Sequence, residues 1–270
     1  MQISGNALFI GSGNMACAIM DGILKAQIIK PQNIFCNDID EKKLADLSKR
    51  LGIIPFLDKK ESLKEADIVF LSVKPQNIVS VLDEIKPFIK KGALIISIIA
   101  AIQTKFIEDS LNAGIEVVRV MPNTASLLLC GVSAICGGRY ASKESVEKVK
   151  NLFSCIGKAE IMDENHFDAI TALSGSGVAY IFYFCELMQK AGEKLGLKEE
   201  IAKSFALQTV YGAGKMLVES GLDAELLRKN VTSPNGTTEA AIKSFQDSKL
   251  EDIVFQAMQK ARDRSIELSN

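Results

Sequence analysis

The sequence predicts an α/β fold: a doubly wound sheet followed by an all-helical region. Three observations carry that expectation. Short apolar runs alternate with amphipathic stretches from residue 7 to about 161. The first of these runs ends in a glycine-rich turn. Beyond about residue 163 the strand-like runs stop, and apolar residues recur at three- and four-residue spacing.

The first run is Ala7-Leu8-Phe9-Ile10, four apolar residues that suit a strand buried on both faces. It leads into Gly11-Ser12-Gly13-Asn14-Met15-Ala16. Gly11 and Gly13 allow a tight turn and a close approach to a pyrophosphate, and Ala16 is small enough for a helix to pack on the strand. The residues that follow are apolar at helical spacing, so the loop feeds a helix N-terminus whose unpaired N–H groups favour an anion. A glycine turn in an ordinary α/β protein has similar letters. The strand-loop-helix context over 7–25 favours a dinucleotide site, and with it redox chemistry or redox sensing.

Further strands are expected at 33–36, 68–73, 94–98, 116–120, 131–136 and 159–161. The run Ile68-Val69-Phe70-Leu71-Ser72-Val73 is nearly unbroken and β-branched at its ends, as a strand covered on both sides should be. Helices fill the gaps at 41–50, 76–85, 103–112 and 143–156. In the second half, Phe167, Ile170, Ser174, Val178, Ile181, Phe184, Met188 and Ala191 form one apolar stripe, which predicts a single long helix. Helical periodicity returns at about 199–219, 237–247 and 250–267. The link near 157–165 is short. A helix as apolar as 167–191 needs more cover than a small domain offers, so a homodimer through this half is expected.

Composition narrows the class. The chain has 270 residues and a formal net charge of −1, which implies neither a nucleic-acid nor an anionic-membrane partner. Six cysteines show no C-x-x-C pair and read as small hydrophobes of a reducing compartment. No metal-ligand spacing is present. No basic segment precedes the first apolar run and no apolar run reaches about 20 residues, so neither a signal peptide nor a membrane span is expected, and a cytoplasmic protein is.

The polar residues suggest the chemistry. Asp38 follows the second strand, where a dinucleotide fold places the acid that accepts from the adenosine ribose. A carboxylate there repels a 2′-phosphate and favours NAD over NADP; an Asn37-Asp38 turn is the plainer reading, and both can hold. Ser72-Val73-Lys74-Pro75 lies at the carboxyl edge of the sheet. Lys74 can meet a carboxylate or make a surface salt bridge, and a mainly backbone role is favoured. Asn123, in Met121-Pro122-Asn123-Thr124, can bond the nicotinamide region or the substrate, or cap a turn. Ala172-Leu173-Ser174-Gly175-Ser176-Gly177 puts glycines in a helix at about 1 kcal/mol each, which either close approach of a ligand or backbone, or plain helix packing, would justify. The polar loop from Asn230 to Glu239 leads into a helix whose free N–H groups suit a carboxylate. Thr237 or Thr238 can alternatively serve as an N-cap. His166, the single histidine, sits in an acidic hinge and reads as solvated or capping. With no evident acid–base histidine, reduction of an already electrophilic C=N bond fits better than oxidation of a carbinol.

Taken together, the motifs FIGSGNMA, LSVKPQ, RVMPNTAS, TALSGSGVAYIF and VTSPNGTT resemble the pyrroline-5-carboxylate reductase family, in order and over essentially the full length. The resemblance implies a Rossmann domain over 1–162 and an all-α substrate-binding and dimerisation domain over 163–270. It implies hydride transfer from NADPH or NADH to Δ1-pyrroline-5-carboxylate, yielding L-proline, in a homodimer that can close into a ring of dimers. Carried over by motif, Gly11, Gly13, Asn14 and Met15 hold the pyrophosphate, with Ser12 in the same loop; Asp38 and Asn123 stay candidate cofactor contacts on the residue reading above. Ser72, Val73, Lys74 and Pro75 line the nicotinamide ribose. Asn230 touches the cofactor from the helical domain. Ser233, Asn235, Gly236, Thr237 and Thr238 bind the substrate carboxylate, and the Thr238 hydroxyl meets the ring nitrogen as the catalytic group. Val178 stands where the family usually has proline, and Asn235 where it has glycine. Family members often carry a serine near Asp38, to receive a 2′-phosphate, and an asparagine near Lys59; Asp38 argues for NADH, whereas Lys59 can attract a phosphate. Two other readings compete. A β-hydroxyacid dehydrogenase needs a lysine on the first long helix, and 167–188 has none. A redox-sensing regulator would keep the glycine loop without needing the loop at 230–239.

Overall fold

The computed structural model describes residues 5–111 and 113–269. Its strands are β1 (Asn6–Ile10), β2 (Ile34–Asn37), β3 (Ile54–Pro55), β4 (Ala66–Leu71), β5 (Leu94–Ser97), β6 (Glu116–Met121), β7 (Gly131–Gly137) and β8 (Gly157–Ile161). They form one sheet in the order β3-β2-β1-β4-β5-β6-β7-β8. The helices around it are α1 (Asn14–Lys25), α2 (Glu41–Leu51), α3 (Lys59–Glu65), α4 (Ile78–Ile85), α5 (Thr104–Ser110) and α6 (Lys143–Phe153). The helix expected over 103–112 is thus α5, and position 112 lies outside the described residues.

The two faces of the sheet explain why its strands are apolar throughout. Ala7, Phe9, Ile34, Cys36, Ile68, Phe70 and Ile96 pack with α1, α2 and α6. Their neighbours Leu8, Ile10, Phe35, Val69, Leu71 and Ile95 pack with α3, α4 and α5. Phe9 and Phe70 stack across β1 and β4 with ring centroids 4.1 Å apart. Strands alternate their side chains, so burial on both faces demands an unbroken apolar run.

The sheet departs from all-parallel at one edge. β7 runs antiparallel to β6, and β8 runs parallel to β7. Chain length explains both. The stretch between β6 and β7 holds only one 3₁₀ turn (Thr124–Leu128) and is too short for a crossover, whereas β7 and β8 are joined through α6.

Two compact units divide the chain. One runs up to Gly175 and takes in the residues from Arg262 onward; the other is Ser176–Ala261. In the first unit, the buried Arg119 of β6 pairs with Glu164 at 2.9 Å and lies over the Phe167 ring. Glu164 also accepts from the N–H and hydroxyl of Thr104, so it caps α5 from a distance.

The long apolar helix is real but not regular. Glu164–Lys194 is one 31-residue helical stretch, long and apolar enough to cross a membrane by length and composition alone. Within it, α7 (Phe167–Ile170) is followed by a π-helical turn, Thr171–Gly175, and then α8 (Gly177–Lys194). The Thr171 and Ser174 hydroxyls donate to the carbonyls of Phe167 and Ile170, four residues back. Such bonds loosen a helical ladder, which suits a π turn. A Cβ on Gly175 would come within 2.8 Å of the Met121 side chain, so packing accounts for that glycine.

The second unit continues with α9 (Glu199–Glu219), α10 (Ala224–Asn230), α11 (Thr237–Asp247) and the first part of α12 (Leu250–Ser269). It contains no strand among the described residues. Its buried apolar residues are Ala202 and Ala206, while Phe182, Tyr183, Phe205, Tyr211 and Phe255 are exposed.

Candidate active site

In an open α/β sheet a ligand binds outside the carboxyl ends of the strands, where the strand order reverses. Here that point lies between β1 and β4. The chain leaves β1 through Gly11, whose φ is +100° and whose N–H donates to Asn37 O at 2.8 Å. A Cβ at Gly11 would meet the Ser72 carbonyl oxygen at 2.7 Å, so only glycine lets the two strand ends approach. Ser72 closes the contact: its hydroxyl reaches the carbonyls of Ile10 and Gly11 at 2.9 and 2.8 Å.

Gly13 differs from Gly11. A Cβ there would meet nothing within 4 Å, so its absence leaves open space. Gly13 is also the N-cap of α1, with no side-chain cap. The leading N–H groups of α1 therefore face that space unpaired, with Asn14 exposed and Met15 half-buried beside them. This cradle fits the pyrophosphate of a dinucleotide.

Asp38 faces the same loop. Its Oδ2 accepts from both the N–H and the hydroxyl of the buried Ser12, each at 2.6 Å. Its Oδ1 accepts the Asp40 N–H at 3.0 Å, the turn geometry expected of that pair. Burial alone would raise the Asp38 pKa; the bonds from Ser12 and Asp40, aided by the charge of Lys43, hold it below the usual carboxylate range. Asn37 is committed elsewhere, donating to the carbonyls of Phe56 and Leu57. Next to Asp38, Ile39 is 94% exposed, and Leu57 is exposed as well. The sequence reading passed over both residues. The one signal for Ile39 is an apolar residue between Asp38 and Asp40 in a turn; Leu57, between Phe56 and Asp58, carries none.

Other sequence candidates behave unequally. Lys74 is exposed in extended geometry before Pro75; its carbonyl accepts the Asn77 N–H at 3.0 Å, and its ammonium has no hydrogen bond or ion pair among the described residues. Val73 is half-buried beside it. Lys59 pairs with Glu84 at 2.8 Å, which weakens its claim on a phosphate. Asn123 is no cap: it heads a 3₁₀ turn without a side-chain bond to it. It instead links Val132 N–H to Ser174 O, at 3.3 Å each. His166 is exposed and caps nothing.

In the helical unit, Asn230 ends α10 and is exposed. The loop after it turns through a bond from Gly236 N–H to Ser233 O at 3.0 Å. Asn235 takes a φ of +56°, which asparagine tolerates better than most residues. The N-cap reading of Thr237 and Thr238 is overturned: Gly236 is the N-cap of α11, without a side-chain cap. A Cβ on Gly236 would lie 2.4 Å from Ser233 Oγ. Glu239 bends back to accept the Asn235 N–H at 2.8 Å, clamping the loop. The first-turn N–H groups at Thr237 and Thr238 thus remain free, and Thr238 is half-buried.

No group of three or more His, Cys, Asp or Glu residues suited to a metal exists among the described residues. The cysteines are free; burial pushes the Cys36 and Cys136 thiols up to about 12.

Comparison with known proteins agrees with this layout. Residues 164–268 match the family model for pyrroline-5-carboxylate reductase dimerisation, and 7–101 match that for NADP oxidoreductase, coenzyme F420-dependent. Pyrroline-5-carboxylate reductase 2 of Bacillus subtilis is 38% identical over 96% of this chain and 94% of its own. A pyrroline-5-carboxylate reductase structure from Coxiella burnetii superposes with a TM-score of 0.93 at 34% identity, covering 99% of this chain and all of that one. The Plasmodium falciparum pyrroline carboxylate reductase, solved with NADP bound, gives 0.87 at 29% identity, covering both chains fully.

Proposed function

The chain belongs to the pyrroline-5-carboxylate reductase family, and from that premise we propose which of its residues carry the reaction. It reduces Δ1-pyrroline-5-carboxylate to L-proline with NAD(P)H, as a homodimer formed through its helical half. When bound, the reduced nicotinamide supplies the hydride that saturates the C=N bond.

The residues divide the remaining work. Gly11, Ser12, Gly13, Asn14 and Met15 hold the pyrophosphate with backbone N–H groups. Asp38 takes the adenosine ribose, and Ile39 and Leu57 offer the adenine an apolar surface. Ser72, Val73, Lys74, Pro75 and Asn123 shape the nicotinamide end, mainly through their backbone, and Asn230 adds a contact from the helical half. The loop with Ser233, Asn235, Gly236 and Thr237 receives the substrate carboxylate on free N–H groups. The Thr238 hydroxyl bonds the ring nitrogen, where it orients the imine and relays to it a proton drawn from solvent, its own hydroxyl being restored in the same transfer. An iminium accepts hydride without a strong protein acid, so exclusion of water and correct orientation supply most of the rate.

The observation that carries this reading is the uncapped, clamped start of α11. Its test is NAD(P)H consumption with pyrroline-5-carboxylate. Saturable oxidation that disappears in Gly236→Trp supports it; cofactor binding with no turnover by the intact dimer would defeat it. Asp38, with Lys59 drawn off by Glu84, favours NADH as the working cofactor. The dimer is further expected to close into a ring of dimers and to act in the cytoplasm without a nucleic-acid or membrane partner. Sedimentation of the intact protein reads the assembly directly.

A further inference from the structure

The contact between Ser12 and Asp38 joins two parts of the cofactor site that a sequence reading treats separately. Ser12 stands between the glycines of the β1–α1 loop; Asp38 follows β2, 26 residues on. Two donors of one buried serine converge on a single carboxylate oxygen at 2.6 Å. Among the described residues the other oxygen takes the Asp40 N–H alone, at 3.0 Å, which leaves a lone pair for one ribose hydroxyl. The carboxylate can neither rotate away nor present both oxygens without breaking the Ser12 bonds. Of the cations around it, Lys59 is held by Glu84 and Arg50 by Asp21, while Lys43 adds a positive charge that favours the ionised carboxylate.

We propose that Ser12 is a positioning residue for cofactor choice, latching Asp38 so that its fixed charge accepts one ribose hydroxyl and repels a 2′-phosphate. The proposal rests on the reading that Asp38 favours NADH. The latch makes discrimination depend on a residue of the glycine loop as well as on the acid itself. A loosened carboxylate swings toward solvent, where it binds ribose less well and tolerates the phosphate better.

The experiment is fluorescence titration of the intact dimer with NADH and with NADPH, for the native chain, Ser12→Ala, Ser12→Thr and Asp38→Ser. The native protein should bind NADH the more tightly. Ser12→Ala should lower the ratio of NADPH to NADH dissociation constants about 5-fold, the scale of one hydrogen bond's net contribution, since the Ser12 N–H bond to Asp38 remains. Ser12→Thr, which keeps the hydroxyl, should restore most of the ratio. Asp38→Ser should lower it about 100-fold, as removal of a like charge requires. If the native ratio favours NADPH, the NADH reading has failed and the latch with it. If the native ratio favours NADH but Ser12→Ala leaves it unchanged, the latch alone is overturned. If Ser12→Ala and Ser12→Thr lower the ratio equally, loop packing rather than the hydroxyl sets it, and the proposal falls.

Discussion

The two halves of this chain solve the burial problem in opposite ways. Strands β1, β2, β4, β5 and β6 lose their apolar side chains into one of two cores, and each core is covered by helices of the same unit. The unit Ser176–Ala261 buries two alanines and leaves Phe182, Phe205 and Phe255 about two-thirds exposed. Apolar area of that size in water is unfavourable at about 25 cal/mol per Å². The first half therefore covers the faces of its own sheet, whereas the second leaves apolar area that a further copy can cover. The match of 164–268 to a dimerisation model agrees with that physical reading.

The sharpest way to test the contrast is to crowd a glycine in each half. Gly236→Trp should abolish saturable turnover, because a Cβ already collides with Ser233; steady-state NAD(P)H oxidation reads it, with circular dichroism confirming the helices. Gly13→Val should weaken cofactor binding about 100-fold while the protein stays folded, the scale of ~3 kcal/mol of overpacking in ligand space. Native affinity in that folded variant would contradict the placement of the pyrophosphate. Thr238→Val should lower kcat about 10–100-fold, as one lost hydrogen bond in the transition state would. An unchanged kcat would leave the hydroxyl without a role.

Surface charges extend the comparison. Phe205→Asp should shift the protein toward monomer and make its melting temperature depend more steeply on concentration. Phe106→Asp, at a residue of the first unit that is 41% exposed, should do neither. Equal effects in analytical ultracentrifugation would remove the distinction between the halves. The smallest effect concerns acid. Burial opposes the charge of Asp67 and Glu116, but bonds from Lys90 and Asn6 to the one, and from Ser145 and Ser142 to the other, hold both below their ordinary range. Like Asp38, they titrate lower folded than unfolded. Their stabilisation is full above pH of about 4–4.5 and is lost as pH falls through the folded values. Thermal melts between pH 5 and 3 should show the first half weakening, and Asp67→Asn should flatten that dependence.

Much of this was legible in the residues. Long buried strands announce themselves because two-sided burial forces apolar runs, and α9 and α11 begin and end where the periodicity did. Short elements were not legible: β3 has two residues, and α3 and α10 have seven each, too few for a period to show. The reversed β7 was readable in principle, from a connection too short for a crossover. The π turn was not, since its glycines and serines equally suit regular packing. In the site, the glycine loops stood out because backbone constraints leave local marks. The Ser12–Asp38 bond left none, because it joins positions that only the sheet order brings together.

Two helices, α1 and α11, start on a glycine that has no side chain to contribute. A negatively charged group held there would be met by main-chain amides, which carry no ionisable proton in the biological range and are encoded by no particular codon. Short of a proline, which removes its own N–H, genetic variation can strip such a site of neither its charge nor its donors. It can only obstruct them, so saturation mutagenesis of this protein should find its intolerant positions at the small residues rather than at the lysines and arginines.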